Sequence, residues 1–394
     1  MKLKDLYKPN TSYKAFLVSV ILIGFSFGLY KGVLDNYLAQ IVHIGEFGRG
    51  VTEFFRELPG LFLIFILALF SRFTSNELYR LGGLFLLLGL LLIGLLPPLP
   101  TLAIFAIFIY SIGEHIQLGM KSTISLEYSQ KGYSGLALGV LNSLINAGGI
   151  LGFLIISAIF LLNETEQTFR IVFFIALAIS FIGFLVSFKM GKGEAKADIQ
   201  KFYFRKKFSK YYMLEIFYGS RKQIFLTFGP YVLILFYKAN TSTISLLFAI
   251  AAICGFLFSP LIGKIIDKLG YKVVMVADTL ILVVVCFFYG FSHHFFSFHT
   301  AFIICSINYI LDSIISLASM ASNVYVEDLS DNTTEMRATI STGISVNHLI
   351  SVLIALFGGY IWQTLGIETL FVLSAILGII NSLYAATIKT NRKK

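Results

Sequence analysis

Glu53, Arg56 and Glu57 are the residues of this chain best placed to do chemistry. They lie within 50–70, a stretch long enough to cross a bilayer as one helix. Spacings of three and four put them on one helical face, which Gly60 continues. Ionised groups in hydrocarbon are costly unless paired or wet, so this face must look at other helices or at a water-filled cavity. At a rise of about 1.5 Å per residue, Lys31 and Asp35 of the first apolar run fall in the same slab. Lys31 with Glu57, and Asp35 with Arg56, are candidate charge pairs, which leaves Glu53 as a surplus acid. A surplus acid in a low-dielectric site takes up a proton readily, so Glu53 and Glu57 are candidates for proton coupling. The plainer alternative is that all five groups only staple two helices together, and for Asp35 stapling is the better reading.

Further polar groups interrupt the other apolar runs. Glu114 and His115 fall near mid-membrane with Gln117 a turn away, and Asn308 and Asp312 do so in a later run. Arg221, Lys222 and Gln223 stand near the middle of another, with Glu215 nearer its start. Asn142, Asn146, Asn347 and His348 add neutral hydrogen-bonding groups. Glu114 and Asp312 join the proton-coupling candidates. Lys31, His115, Gln117, Asn142, Asn146, Arg221, Lys222, Asn308 and Asn347 are candidate substrate contacts. Arg221 and Lys222 are neighbours about 100° apart on a helix, so both can hardly face one partner. One can bind a substrate anion while the other meets an acid such as Glu114 or Asp312. His115 suits a proton relay, although a packed, hydrogen-bonded histidine is the commoner case. His293, His294 and His299 cluster in sequence, but no nearby acid or cysteine completes a metal site. Trp362 reads as an interfacial anchor. No Gly-x-Ser-x-Gly, phosphate-binding glycine loop or His-Glu-x-x-His is present, so no bond-making chemistry or cofactor is expected.

The elements holding these groups follow from composition. Of 394 residues, 57% are hydrophobic and 13% charged, about half the charged share of a soluble domain. With a mean hydropathy of +0.83, this is a membrane protein. The net charge of +10 sits mostly in short connectors, which argues against nucleic acid. Cys254, Cys286 and Cys305 lie inside apolar runs and form no disulfide or metal pattern. The first apolar run is too long for a signal-peptide core and is a retained helix. Windows of roughly 20 residues give about twelve spans, near 13–39, 49–72, 77–97, 100–127, 134–162, 167–190, 210–237, 242–263, 271–292, 299–326, 337–362 and 366–388. Lys and Arg concentrate in alternate connectors, which places both termini in the cytoplasm. The basic stretch 191–209 reads as a cytoplasmic linker lying on anionic lipid. It separates bundles of six spans at 1–190 and 210–394. The halves share weak echoes, such as Gly28 and Lys31 against Gly219 and Lys222, as a repeat-built transporter would.

Between the eighth and ninth spans stands Gly263-Lys-Ile-Ile-Asp267-Lys268-Leu-Gly270-Tyr-Lys272. It resembles the signature loop of the major facilitator superfamily, Gly-x-x-x-Asp-Arg/Lys-x-Gly-x-Arg/Lys. Gly270 permits a turn, and Asp267 can cap a helix or meet a basic residue. The resemblance implies a gate contact for Asp267 that breaks and remakes with each state. The matching loop of the first half, 71–80, lacks the glycines and the Asp. The fifth span, with Gly135, Gly139, Gly148, Gly149 and Gly152, permits close packing and resembles the antiporter motif of drug exporters, but no Pro follows its glycines. The resemblance also implies a central cavity lined by the first, second, fourth, fifth, seventh, eighth, tenth and eleventh spans, where the polar residues fall. The third, sixth, ninth and twelfth carry almost no mid-span charge.

The expectation is an all-α integral membrane protein of twelve transmembrane helices in two pseudo-symmetric six-helix bundles. It would be a monomeric secondary transporter working by alternating access, moving a small polar or charged organic solute with protons, in a bacterial inner membrane. A proton-coupled exporter of amphipathic compounds is the alternative. From another class, an uncoupled transporter-like receptor or a lipid scramblase would also fit.

Overall fold

The computed structural model describes residues 6–9, 12–70, 72–130, 132–191, 193 and 203–389. Most of the expected linker, several of its basic residues and the basic tail at 390–394 lie outside the described residues. The helices are α1 (Ser12–Asn36), α2 (Glu46–Leu61), α3 (Leu63–Leu69), α4 (Ser75–Leu95), α5 (Pro100–Tyr128), α6 (Ser134–Phe160), α7 (Glu166–Ser187), α8 (Ser209–Leu235), α9 (Thr241–Leu269), α10 (Tyr271–Phe295), α11 (Phe298–Ile315), α12 (Met320–Leu329) and α13 (Thr333–Ala386). No sheet occurs among the described residues. Local sequence sets several starts. Thr74 and Glu77 form a reciprocal capping box for α4, and α5 opens on Pro100, whose missing N–H costs nothing in a first turn.

Nine helical runs among the described residues are long and apolar enough to cross a membrane. One of them, Glu335–Ala386, has 52 residues, about 78 Å of helix against a hydrocarbon core of about 30 Å. Gly366 divides it, with φ 89° and ψ 169°, a conformation that side chains resist. The run therefore crosses twice. The second expected span is α2 with α3, interrupted after Pro59, which cannot donate within the helix. With α8, the described helices are consistent with the twelve crossings expected. It is an all-α integral membrane protein.

The contacts define two compact units, neither one continuous in sequence. Unit 1 comprises Met1–His43, Leu58–Ile199 and Asn240–Ala249. Within it α1 packs on α6 and α7, and α4 on α5 and α7. The α1–α6 contact is close because it lacks side chains: a Cβ on Gly28 would lie 2.3 Å from the Gly149 carbonyl oxygen, and one on Gly152 would lie 2.7 Å from Gly28 and Leu29 backbone. Gly148 and Gly152 thus do the packing read into the fifth span, whereas Gly135 and Gly139 meet nothing within 4 Å. The start of α9 is bound into this unit. Ser245 and Ser242 donate to the carbonyls of Phe153 and Ser157 at 2.8 and 2.7 Å, and Glu164 accepts from the Thr241 N–H. Leu84, Leu88 and Leu91 of α4 and Phe181 and Leu185 of α7 are exposed, a greasy face suited to lipid.

Unit 2 comprises Ile44–Glu57, Gln200–Ala239 and Ile250–Lys394. Here α8 packs on α13, and α10 on α13 and α11, around a core that includes Tyr211, Leu214, Tyr218, Met275, Tyr325 and Val326. The α2 end of this unit lies backbone to backbone with α13: a Cβ on Gly50 would sit 2.3 Å from the Ala355 carbonyl oxygen. Trp362 is 7% exposed, with its ring perpendicular to Phe228 at 5.9 Å. It is a core residue, not the interfacial anchor its position in the sequence suggested, because α8 covers it. At the other end of unit 2, Tyr203 is strapped to α13. Its N–H donates to Thr342 and its hydroxyl to Glu335, each at 2.9 Å. Lys207 bridges Asp331 and Glu335 at 2.8 and 2.7 Å.

Candidate functional site

Within unit 2, helix α2 presents the charged face read from the sequence, and Glu53 is its centre. One Glu53 oxygen accepts from Arg56 at 2.7 Å and from Gln223 of α8 at 3.0 Å; the other accepts from Arg49 at 2.8 Å. Glu53 is 1% exposed, so all of this happens away from water. Arg56 also pairs with Glu57, whose second oxygen meets His348 Nδ1 of α13 at 2.9 Å. The Arg49 guanidinium lies 5.5 Å from the Tyr231 ring centre, and the Tyr231 hydroxyl donates to the Ile44 carbonyl. Arg49 is the residue that sequence reasoning missed. It stands just outside the 50–70 stretch, yet it is 2% exposed because α2 begins at Glu46 and carries it on the same helix as Glu53. Its i,i+4 spacing to Glu53 was the available signal. With Arg49 counted, the face of α2 carries no surplus acid: Arg49 and Arg56 stand against Glu53 and Glu57.

A second buried pair lies deeper in α8. Arg221 Nη1 donates to Asp278 Oδ2 of α10 at 2.8 Å, with the side chains 1% and 3% exposed. Asp278 was also missed, since the ninth span was read as free of mid-span charge. Asp312 of α11 is 7% exposed, and one of its carboxylate oxygens has no hydrogen-bond partner among the described residues, nor has Arg221 Nη2. Lys222, next in sequence, turns to the exposed side of α8 and forms no ion pair with a described residue. It still acts electrostatically on Glu215 and Asp312. The two adjacent cations thus divide as their angular separation requires, one locked and one open. Glu215 accepts from Ser322 at 2.8 Å and from Asn347 at 3.4 Å. Asn308 is buried and donates to its own helix at Ile304, at 2.8 Å.

Unit 1 holds the remaining candidates. Lys31 pairs with Asp35 four residues on at 2.7 Å and lies 5.3 Å from the Phe248 ring centre. Both of the pairings seen for Lys31 and Arg56 thus include partners on their own helix. His115 Nδ1 lies 3.0 Å from the Ser111 hydroxyl and 2.9 Å from its carbonyl, and the ring is buried. Gln117, fully buried, donates to the Tyr79 carbonyl at 3.2 Å and packs against Gly82, which makes it part of the α4–α5 contact. Glu114 is half-buried, and Asn142 and Asn146 are exposed on α6.

In the loop that carries the signature motif, α9 ends at Leu269 and Gly270 begins α10 with φ 85°. No side chain caps α10, so Asp267, Lys268 and Lys264 are exposed and available to other partners. Lys272 is half-buried, Gly263 meets no neighbour within 4 Å, and Tyr271 donates to Asp328 at 2.8 Å. At the opposite end of α10, Glu368 supplies the acid that the sequence around His293 and His294 lacks.

Residues 212–394 match the family model described as Major Facilitator Superfamily. Among solved structures, the nucleoside transporter NupG is similar at 15% identity with a TM-score of 0.74, over 96% of this chain and 100% of that one. A D-xylose-proton symporter gives 13% and 0.73, over 95% and 96%. A POT family transporter in complex with 5-aminolevulinic acid gives 12% and 0.76, over 97% and 98%. No curated protein sequence matches significantly. At such identities the structural likenesses speak to the fold alone. Residues 212–394 are thus similar to the Major Facilitator Superfamily, and the chain as a whole has the fold of these transporters.

Proposed function

We propose that the protein is a secondary active transporter that moves a small polar or charged organic solute by alternating access, coupled to protons. The observation that carries this reading is the concentration of ionised groups inside membrane-crossing helices, above all the Arg49–Glu53–Arg56–Glu57–His348 network. A bilayer protein sustains such a network where the groups work or line a polar path. The fold neighbours lend support, since their names describe carriers of nucleosides and of xylose with a proton. Coupling is assigned to Glu57 and Asp312. Glu57 shares one oxygen with an imidazole that can exchange a proton, and Asp312 keeps one oxygen without a hydrogen-bond partner among the described residues. Glu53, with Arg49, Arg56 and Gln223 donating to its two oxygens, holds the helices in register, and Glu114 remains a secondary candidate for coupling. Lys222, exposed and without an ion pair among the described residues, is the substrate-binding cation, which favours an anionic or zwitterionic solute. Asn142, Asn146 and Asn347 are candidate neutral contacts. Asp267 and Lys268 serve the inner gate. A bacterial inner membrane with both termini cytoplasmic fits the distribution of basic residues, and no cofactor or nucleic acid enters the mechanism.

The test is proton movement in proteoliposomes challenged with anionic, zwitterionic and cationic organic solutes. Wild type should show substrate-dependent flux, Glu57→Gln should lose it, and Lys222→Ala should lose it for anions. Flux that survives both substitutions overturns the assignment of the site.

A further inference from the structure

His293 and His294 end α10, and Glu368 opens the half of α13 that follows Gly366. The two imidazole Nε2 atoms converge on one Glu368 oxygen, at 3.2 and 3.0 Å. All three donor atoms lie within 4.8 Å of one another. We propose that His293, His294 and Glu368 form a binding site for a divalent transition-metal ion, with Zn²⁺ the best fit, at the end of α10 remote from the Gly263–Lys272 loop.

The donor chemistry supports this. Two imidazoles and a carboxylate are a common three-residue set for Zn²⁺, and water completes the tetrahedron. With metal–ligand distances of about 2.0–2.1 Å, neighbouring ligand atoms of a tetrahedral site stand roughly 3.3–3.4 Å apart. Two of the three edges here are already within a few tenths of an ångström of that value.

The rings are also held in place. His293 lies against the Phe236 ring at 4.8 Å and against the His294 ring at 4.0 Å. The second Glu368 oxygen sits where a Cβ on Gly366 would be, at 2.9 Å, so the glycine that turns the chain also makes room for the carboxylate. Half the His294 side chain is exposed, which gives an ion a way in and leaves a vertex for water. Without metal, both Nε2 atoms must carry protons to hydrogen-bond the carboxylate. A Zn²⁺ ion takes the place of those protons, so binding releases protons and weakens in acid. Bound metal joins the end of α10 to the segment after the Gly366 turn.

The test titrates tag-free protein in nanodiscs with Zn²⁺ by calorimetry, with Co²⁺ absorption as a report on geometry and Ca²⁺ as the hard-ion control. One Zn²⁺ per chain should bind and raise Tm, Co²⁺ should show the visible spectrum of a tetrahedral site, and Ca²⁺ should do neither. His294→Gln and Glu368→Gln should each weaken Zn²⁺ at least ~10-fold. His299→Ala, outside the cluster, should not. Should Glu368→Gln fold poorly, the exposed His294→Gln alone decides. Absence of Zn²⁺ binding, or binding that both glutamine variants leave unchanged, overturns the proposal.

Discussion

The split between Arg221 and Lys222 makes a quantitative prediction. Arg221 is buried and bonded to buried Asp278 at 2.8 Å, so removing either partner strands the other charge in a low-dielectric site. Breaking a buried pair in this way costs about 3–5 kcal/mol, whereas exchanging both partners for apolar groups is often close to neutral. At about 2 °C per kcal/mol, suited to a long chain, Arg221→Met and Asp278→Asn should each lower Tm by about 6–10 °C. The double variant Arg221→Met/Asp278→Leu should recover at least half of the loss, because neither charge of the pair is left stranded. Lys222→Ala removes no ion pair and should hold Tm within about 1 °C. Thermal unfolding in detergent, followed with a thiol-reactive dye, reads this directly, since Cys286 and Cys305 are buried until the helices separate. A stable Arg221→Met, or a double variant no better than the singles, would refute the reasoning. In that event Arg221 returns to the set of substrate-binding cations.

Two further outcomes are expected. Gly28→Leu puts carbon into the Gly149 carbonyl, and overpacking of this kind costs about 1–3 kcal/mol or more; the yield of monodisperse protein should fall sharply, while the same change at Gly139, which meets no neighbour, should be tolerated. Hydrogen bonds from Lys207, from the Asp331 N–H and from Tyr203 hold the Glu335 carboxyl down from its ordinary 4.5 to about 2. Because the folded value is the depressed one, the strap is fully formed above about 4.5 and is lost as pH falls through about 2. Carboxyl NMR of Glu-labelled protein, assigned with Glu335→Gln, should place the midpoint nearer 2, and Lys207→Ala should move it up.

Apolar runs and their punctuation made the crossings legible, since a twenty-residue window needs no tertiary information. The charged face of α2 was legible too, because helical spacing alone aligns Glu53, Arg56 and Glu57. Arg49 escaped because its helix starts earlier than hydropathy implies, and a charge near a span end reads as connector. Asp278 escaped because one acid among valines carries no periodicity to mark it, though any ionisable group within an apolar run is worth a question. Glu368 stands 75 residues from His293, and only the turn at Gly366 aims it back toward α10. Trp362 shows the converse: a span-end aromatic suits lipid headgroups until another helix is known to cover it.

The way each unit borrows from the other half of the sequence has a consequence for biogenesis. Residues 240–249 leave the second half to join Phe153 and Ser157, and 44–57 leave the first half to lie on Ala355 and Gly359. A nascent chain that has released only its first half therefore exposes an unfilled seat on α6 and leaves Glu53 and Glu57 without Gln223 and His348. Folding of the first half cannot finish on its own. The ribosome must deliver the start of α9 before that seat is filled, and α13 before Glu57 meets His348. A chain severed in the basic linker would yield two fragments, each waiting for a piece of the other.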